Sequence, residues 1–167
     1  MALKEYQITS TIYEFDNPIE CPDYAQNLIT KAKQAREKAY APYSKFLVGA
    51  ALLLDNGEII TGNNQENASY PSGLCAERTA IYYAGSQFPD AKVKSIAICA
   101  GLENKENHNP APPCGACRQA IAEYEQKQNS PIEIYFTGTV GKVKMVKSLL
   151  SLLPFSFDKG FLDEKSK

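Results

Sequence analysis

The chain has 167 residues, 44% of them apolar, with eighteen basic and nineteen acidic side chains and a net charge of −1. That length suits one domain (1–167, with 1–22 as an N-terminal extension), and its interspersed charge offers no basic stripe for nucleic acid. No apolar run reaches the roughly 18–20 residues of a membrane span, Met1-Ala2-Leu3-Lys4-Glu5-Tyr6 lacks the core of a secretion signal, and five cysteines are an odd count for a disulfide scaffold, so a cytoplasmic location is expected.

Taken in chain order, the alternation Tyr6, Ile8, Ser10, Ile12 suggests a short strand from Tyr6 to Phe15. Pro18 and Pro22 close that lead-in. Asp23 is placed to cap a helix running to about Ala39, with Leu28, Ile29, Ala32, Ala35 and Ala39 on one face, stopped by Pro42. Phe46 to Leu54 is apolar throughout except for Gly49, and Asp55-Asn56-Gly57 then signals a hairpin returning over Glu58 to Asn63. Asn64 to Leu74 reads as a loop. A helix is predicted from Cys75 to about Gly85, with Ala76, Thr79, Ala80 and Tyr83 toward a sheet. Val93 to Ala100 follows as a buried strand, Gly101 to Pro113 as a loop, and Cys114 to Lys127 as a helix. Ile132 to Thr137 and Val143 to Lys147 bring the strands after the lead-in to five, and Ser148 caps a last helix that Pro154 ends. The order implies a three-layer α/β/α fold with a five-stranded mixed sheet, opened by an antiparallel hairpin. Both cysteine-bearing helices follow strands, so their N-termini are expected side by side at the carboxyl edge of the sheet.

Three of the cysteines carry the chemistry. Cys75 is followed two residues later by Glu77, and Pro113-Cys114-Gly115-Ala116-Cys117 has the spacing of two ligands gripping one ion from a first helical turn. Three thiolates leave one tetrahedral position of a zinc ion for water, the arrangement of a catalytic rather than a closed site. The pattern Cys-x-Glu…Pro-Cys-x-x-Cys is the general zinc-deaminase signature with cysteine in the first place, and its mechanism is taken from that pattern. Glu77 is positioned as the proton shuttle beside the metal. Thiolates weaken zinc as a Lewis acid, so two helix N-termini and the neighbouring Arg78 are expected to draw charge off the sulfurs.

Four ordered stretches make a wider resemblance. They are Ala41-Pro42-Tyr43-Ser44-Lys45-Phe46-Leu47-Val48-Gly49-Ala50-Ala51, Gly62-Asn63-Asn64-Gln65-Glu66-Asn67-Ala68-Ser69-Tyr70, Cys75-Ala76-Glu77-Arg78-Thr79-Ala80 and Pro113-Cys114-Gly115-Ala116-Cys117-Arg118-Gln119. From about Asp23 to Phe157 the chain resembles the cytidine deaminases in their small, all-cysteine, homotetrameric form. The resemblance implies a zinc-dependent hydrolase of pyrimidine salvage that converts cytidine and 2′-deoxycytidine to the uridines. It implies one zinc per subunit on Cys75, Cys114 and Cys117, with Glu77 as the catalytic acid/base. It further implies Phe46 against the pyrimidine, Asn64 and Glu66 on the ribose hydroxyls, and the Ala76 amide on the base carbonyl. Tyr70 and Phe157 match positions that complete a neighbouring subunit's site. A carboxylate at Glu66 favours a free nucleoside over a nucleotide. The lead-in before Asp23 and the loop Glu103 to Pro112 are longer than the family pattern, and Phe157-Asp158-Lys159 stands where the family has Phe-Gly-Pro.

Other readings stay open at this level. A closed zinc module needs a fourth ligand, for which Cys99 is the candidate, although its apolar strand makes it a core thiol. A related deaminase acting on a nucleoside antibiotic, a guanine-type base or a base within RNA shares the same signature. His108, the one histidine, is expected exposed in its Asn- and Pro-rich loop. Cys21 reads as a free thiol, and Tyr82 and Tyr83 as packing residues.

Overall fold

The computed structural model describes residues 3–162. The ends of the expected single domain, residues 1–2 and 163–167, lie outside the described residues. The elements are β1 (Tyr13–Phe15), α1 (Asp23–Arg36), β2 (Phe46–Leu54), β3 (Ile59–Asn63), α2 (Ala76–Gln87), β4 (Val93–Leu102), α3 (Gly115–Lys127), β5 (Glu133–Thr137) and β6 (Val143–Val146). They build one mixed sheet in the order β1-β6-β5-β4-β2-β3, in which only β4 and β5 run parallel.

Alternation along the strands sorts the core into two faces, as a period of two requires. Leu52, Ile96, Ile98, Ile134 and Val146 point to one side, where Ala80 and Ile81 of α2 and Ile121 of α3 cover them. Ala51, Ala97, Cys99, Tyr135 and Val143 point to the other, against Leu28, Ile29 and Ala32 of α1. Covering both faces explains why the central strands are almost wholly apolar. Two glycines permit close docking of the layers. A Cβ at Gly49 would stand 2.0 Å from the Ala32 carbonyl of α1, and one at Gly62 would stand 2.7 Å from the Ala76 carbonyl of α2.

The three-layer α/β/α expectation holds, but the sheet has six strands where five were expected. The lead-in adds the extra edge strand, and only over Tyr13–Phe15, antiparallel to β6. Tyr6, Ile8 and Ile12 stay exposed, outside the stretch that pairs with β6. Lys142 pairs with Glu14, Lys144 lies 3.7 Å from it, and Lys147 sits 5.2 Å from the Tyr13 ring centre.

Other bounds shift for local reasons. Asp23 is the first residue of α1 rather than its cap, and the Pro22 carbonyl accepts from Ala25 and Gln26. Ala39 lies past the end of that helix. The buried stripe of α2 is Ala76, Glu77, Ala80, Ile81 and Ala84, so Tyr83, expected inside, faces out, as does Tyr82. Ser148 does act as a cap, its side chain accepting from the Leu150 amide, but the element it opens is a single 3-10 turn, Leu149–Leu152, rather than a longer helix.

Candidate active site

Cys75 and Cys114 are the N-cap residues of α2 and α3, both in extended backbone conformation. Their sulfurs therefore lie at the positive ends of two helices, where thiolates are favoured. Cys75 Sγ and Cys114 Sγ are 3.8 Å apart, and Cys114 Sγ and Cys117 Sγ 3.4 Å apart. All three lie within 4.8 Å of one another. Zinc–sulfur bonds of about 2.3 Å in a tetrahedron place sulfurs about 3.8 Å apart, so this donor set fits the ion with only small adjustments.

Among the described residues, no fourth histidine, cysteine or carboxylate joins the cluster. Cys99 is buried on the α1 face of the sheet and contacts the Gly138 carbonyl at 3.2 Å, which removes it as a closing ligand. His108 is exposed, 3.6 Å from Glu106, and is likewise apart from the thiols.

Charge is distributed unevenly over the cluster. A hydrogen bond from Cys117, aided by the Arg78 guanidinium, pulls Cys75 down to about 5 against the opposing effect of burial. The same bond, together with burial and the Glu77 carboxylate, raises Cys117. Arg78 Nη2 stands 3.7 Å from Cys75 Sγ, and its buried Nε has no hydrogen-bond partner among the described residues. A cation beside the sulfurs offsets the negative charge that three thiolates would otherwise concentrate there. Glu77 follows in the first turn of α2 and is only 4% exposed. Burial, with a smaller push from the neighbouring Cys75, raises its carboxyl to about 7 against a hydrogen bond from its own backbone.

A cavity of about 670 Å³ opens over these groups. Phe46, Asn64, Glu66 and Tyr70 line it together with Cys75, Glu77, Arg78 and Cys114. Asn64 is committed to backbone on both sides: its Oδ1 accepts from Val48 N at 2.8 Å, and its Nδ2 donates to Phe46 O at 2.9 Å. Glu66 accepts from the Tyr43 and Ser44 amides at 2.9 and 3.2 Å and from the Ser44 hydroxyl at 2.5 Å. The Ser44 bond is the main reason its carboxyl lies below the usual range. Tyr70 packs edge-on against Tyr43. The Ala76 side chain is fully buried, and its amide belongs to the first turn of α2, where backbone donors lack intrahelical partners. Phe157 lies away from this cavity, stacked on Phe161 and largely exposed.

Supporting residues were not readable from the sequence. Arg118 Nε donates to the Pro113 carbonyl and Nη1 to the Leu152 carbonyl, both at 2.8 Å, which fixes the turn that presents Cys114. Glu125 of α3, 6% exposed, accepts from the amides of Ile132 and Leu149 and from the Ser148 hydroxyl. The available signal was a carboxylate within an apolar helical stripe, Cys117, Ile121, Ala122 and Glu125.

The chain matches the family described as the cytidine and deoxycytidylate deaminase zinc-binding region over residues 22–130. It is 43% identical over 134 residues to the cytidine deaminase of Sporosarcina psychrophila, covering 80% of this chain and 91% of that one. The cytidine deaminase of Halalkalibacterium halodurans is 44% identical over 132 residues, covering 79% and 92%. The crystal structure of cytidine deaminase from Burkholderia pseudomallei superposes with a TM-score of 0.69 at 41% identity, covering 82% of this chain and all of that one.

Proposed function

This chain belongs to the cytidine and deoxycytidylate deaminase family, and we propose the residues by which it hydrolyses cytidine and 2′-deoxycytidine to uridine and 2′-deoxyuridine with release of ammonia. One observation carries the assignment: three thiols converge at one point beneath a cavity that also holds a buried carboxyl, Glu77. Cys75, Cys114 and Cys117 hold the zinc. When bound, zinc supplies a hydroxide-strength nucleophile at neutral pH. Arg78 compensates the charge of the thiolates. Glu77 takes the proton released as the nucleophile forms and delivers it to the ring nitrogen beside the reacting carbon; it then takes the proton of the hydroxyl added to that carbon and passes it to the departing amine, which leaves as ammonia. General acid/base groups in such roles contribute about 10²–10⁴ in rate.

Phe46 lies against the pyrimidine, the Ala76 amide donates to the base carbonyl, and Asn64 and Glu66 face the ribose hydroxyls. A carboxylate at Glu66 repels a 5′-phosphorylated sugar, which favours a free nucleoside. The assembly is read as a homotetramer in which Tyr70 and Phe157 reach neighbouring sites. Exposed aromatics on several elements, among them Tyr70, Tyr82, Tyr83 and Phe157, support an association of copies. Residues 1–167 are treated as one domain with 1–22 as an extension, in keeping with a family match that begins at residue 22. A reducing cytoplasmic location accords with five unpaired cysteines, and among the described residues no helix is long and apolar enough to cross a membrane.

The test follows the absorbance of cytidine with wild type and Glu77→Ala, with zinc measured in both. The variant is expected to keep its metal and lose about 10²–10⁴ in turnover. Turnover within tenfold of wild type would remove Glu77 from the proton path.

A further inference from the structure

The loop between β4 and α3 is held at its centre by Asn107. Asn107 Nδ2 donates to the carbonyls of Ala100 at 2.9 Å and Asn109 at 3.0 Å, and its Oδ1 accepts from the Asn109 amide at 3.1 Å. Its own amide donates to Thr139 Oγ1 at 2.7 Å, and its carbonyl accepts from the Val140 amide at 3.2 Å. Glycines clear the space on both sides. A Cβ at Gly138 would stand 1.9 Å from the Asn107 oxygen, and one at Gly101 would stand 3.0 Å from Asn107 Cβ. The strand end is fixed as well, since Arg36 Nη2 donates to the carbonyls of Gly101 and Leu102.

Beyond the pin the chain runs Asn109-Pro110-Ala111-Pro112-Pro113-Cys114. Three prolines fix their φ angles, so the stretch has little freedom between Asn107 and the first α3 thiol. Ala111 and Pro112 form part of the cavity wall, as does Ala100, whose carbonyl Asn107 holds. The wall leads directly into Cys114, so it stands beside the thiol cluster, where the cytidine-deaminating function puts the carbon that loses its amine.

We propose that Asn107 is a positioning residue that sets substrate specificity: it holds the Ala111-Pro112 wall close to the thiol cluster, and so rejects cytidines carrying a substituent on the exocyclic amine. The inference rests on the cytidine-deaminating function. A wall this constrained discriminates by size, and one added carbon against a fixed apolar surface is worth about 10–200-fold in kcat/KM. Asn107 touches no substrate. It acts through the wall.

The experiment compares wild type and Asn107→Ala on cytidine and on N4-methylcytidine, which releases methylamine, with zinc content and melting temperature measured for each. In the variant, kcat on cytidine is expected to stay within about threefold while KM rises, and the preference for cytidine over N4-methylcytidine to fall at least about fivefold. A role confined to stability would lower the melting temperature and slow both substrates in proportion, leaving the preference unmoved. A preference within twofold of wild type overturns the proposal. If Asn107→Ala does not yield folded protein, Thr139→Val, which removes only the hydroxyl that accepts the Asn107 amide, is read in the same way. Wild type inactive on cytidine would instead bring down the functional assignment itself.

Discussion

Replacing Glu125 by alanine tests whether this buried carboxylate braces the α3 side of the site. Its Oε2 accepts from the Ile132 amide at 2.8 Å and the Leu149 amide at 2.9 Å, and the Ser148 hydroxyl donates to Oε1. Alanine leaves two buried amides with no partner, at about 1–3 kcal/mol each, so Glu125→Ala should cost about 2–6 kcal/mol. For a chain of 167 residues, an unfolding entropy of about 2.1 cal/mol/K per residue makes 1 kcal/mol worth about 3 °C. The melting temperature should therefore fall by about 6–17 °C at fixed protein and zinc concentration. Glu125→Gln keeps one carbonyl oxygen for the two amides and should recover most of the loss, giving up only the charge assistance. The assay is thermal unfolding followed by circular dichroism. An alanine variant within about 1 kcal/mol of wild type, or a glutamine variant as damaged as the alanine one, would refute the reasoning.

Arg78→Gln should retain zinc and lower kcat, and unchanged kinetics would show that the cation does not balance the thiolates. Gly62→Ala should force β3 and α2 apart, since the new Cβ would lie 2.7 Å from the Ala76 carbonyl; lower zinc affinity, read by competition with a coloured chelator, checks it, and wild-type affinity counts against it. Burial, with a smaller effect from Glu20, pushes the Cys21 thiol from the ordinary 9.0 up to about 11. The folded form thus stays protonated where the unfolded one ionises, and this contribution to stability is present below pH 9 and lost as pH rises toward 11. Melting curves across that range should fall less steeply for Cys21→Ala than for wild type, and equal slopes would contradict the assignment.

Much of the fold was legible because its punctuation is strong. Asp55-Asn56-Gly57 set the β2–β3 hairpin, and β2 matches its predicted bounds from Phe46 to Leu54. The thiol cluster was equally plain, because one helical turn leaves Cys114 and Cys117 no choice but to meet. The lead-in strand was not, since its alternation says nothing about how far the pairing with a neighbour runs. Only the register with β6 limits it to Tyr13–Phe15. On α2, Tyr83 and Ala84 compete for the inward position, and the close contact at Gly62 leaves room beside the sheet for the small side chains. The dual hold of Asn64 on β2 and the network around Asn107 join residues distant in sequence through backbone atoms, which no pattern of side-chain types records.

The thiols that converge belong to the opening turns of two separate helices, 39 positions apart at Cys75 and Cys114. An ion seated between them is a cross-link, closing a long chain segment that the unfolded polymer would leave open. Resistance to heat thus becomes a gauge of loading. Each tenfold rise in free metal above its dissociation constant should add about 1.4 kcal/mol to the native state, so a titration of melting temperature would yield the affinity without any substrate being turned over.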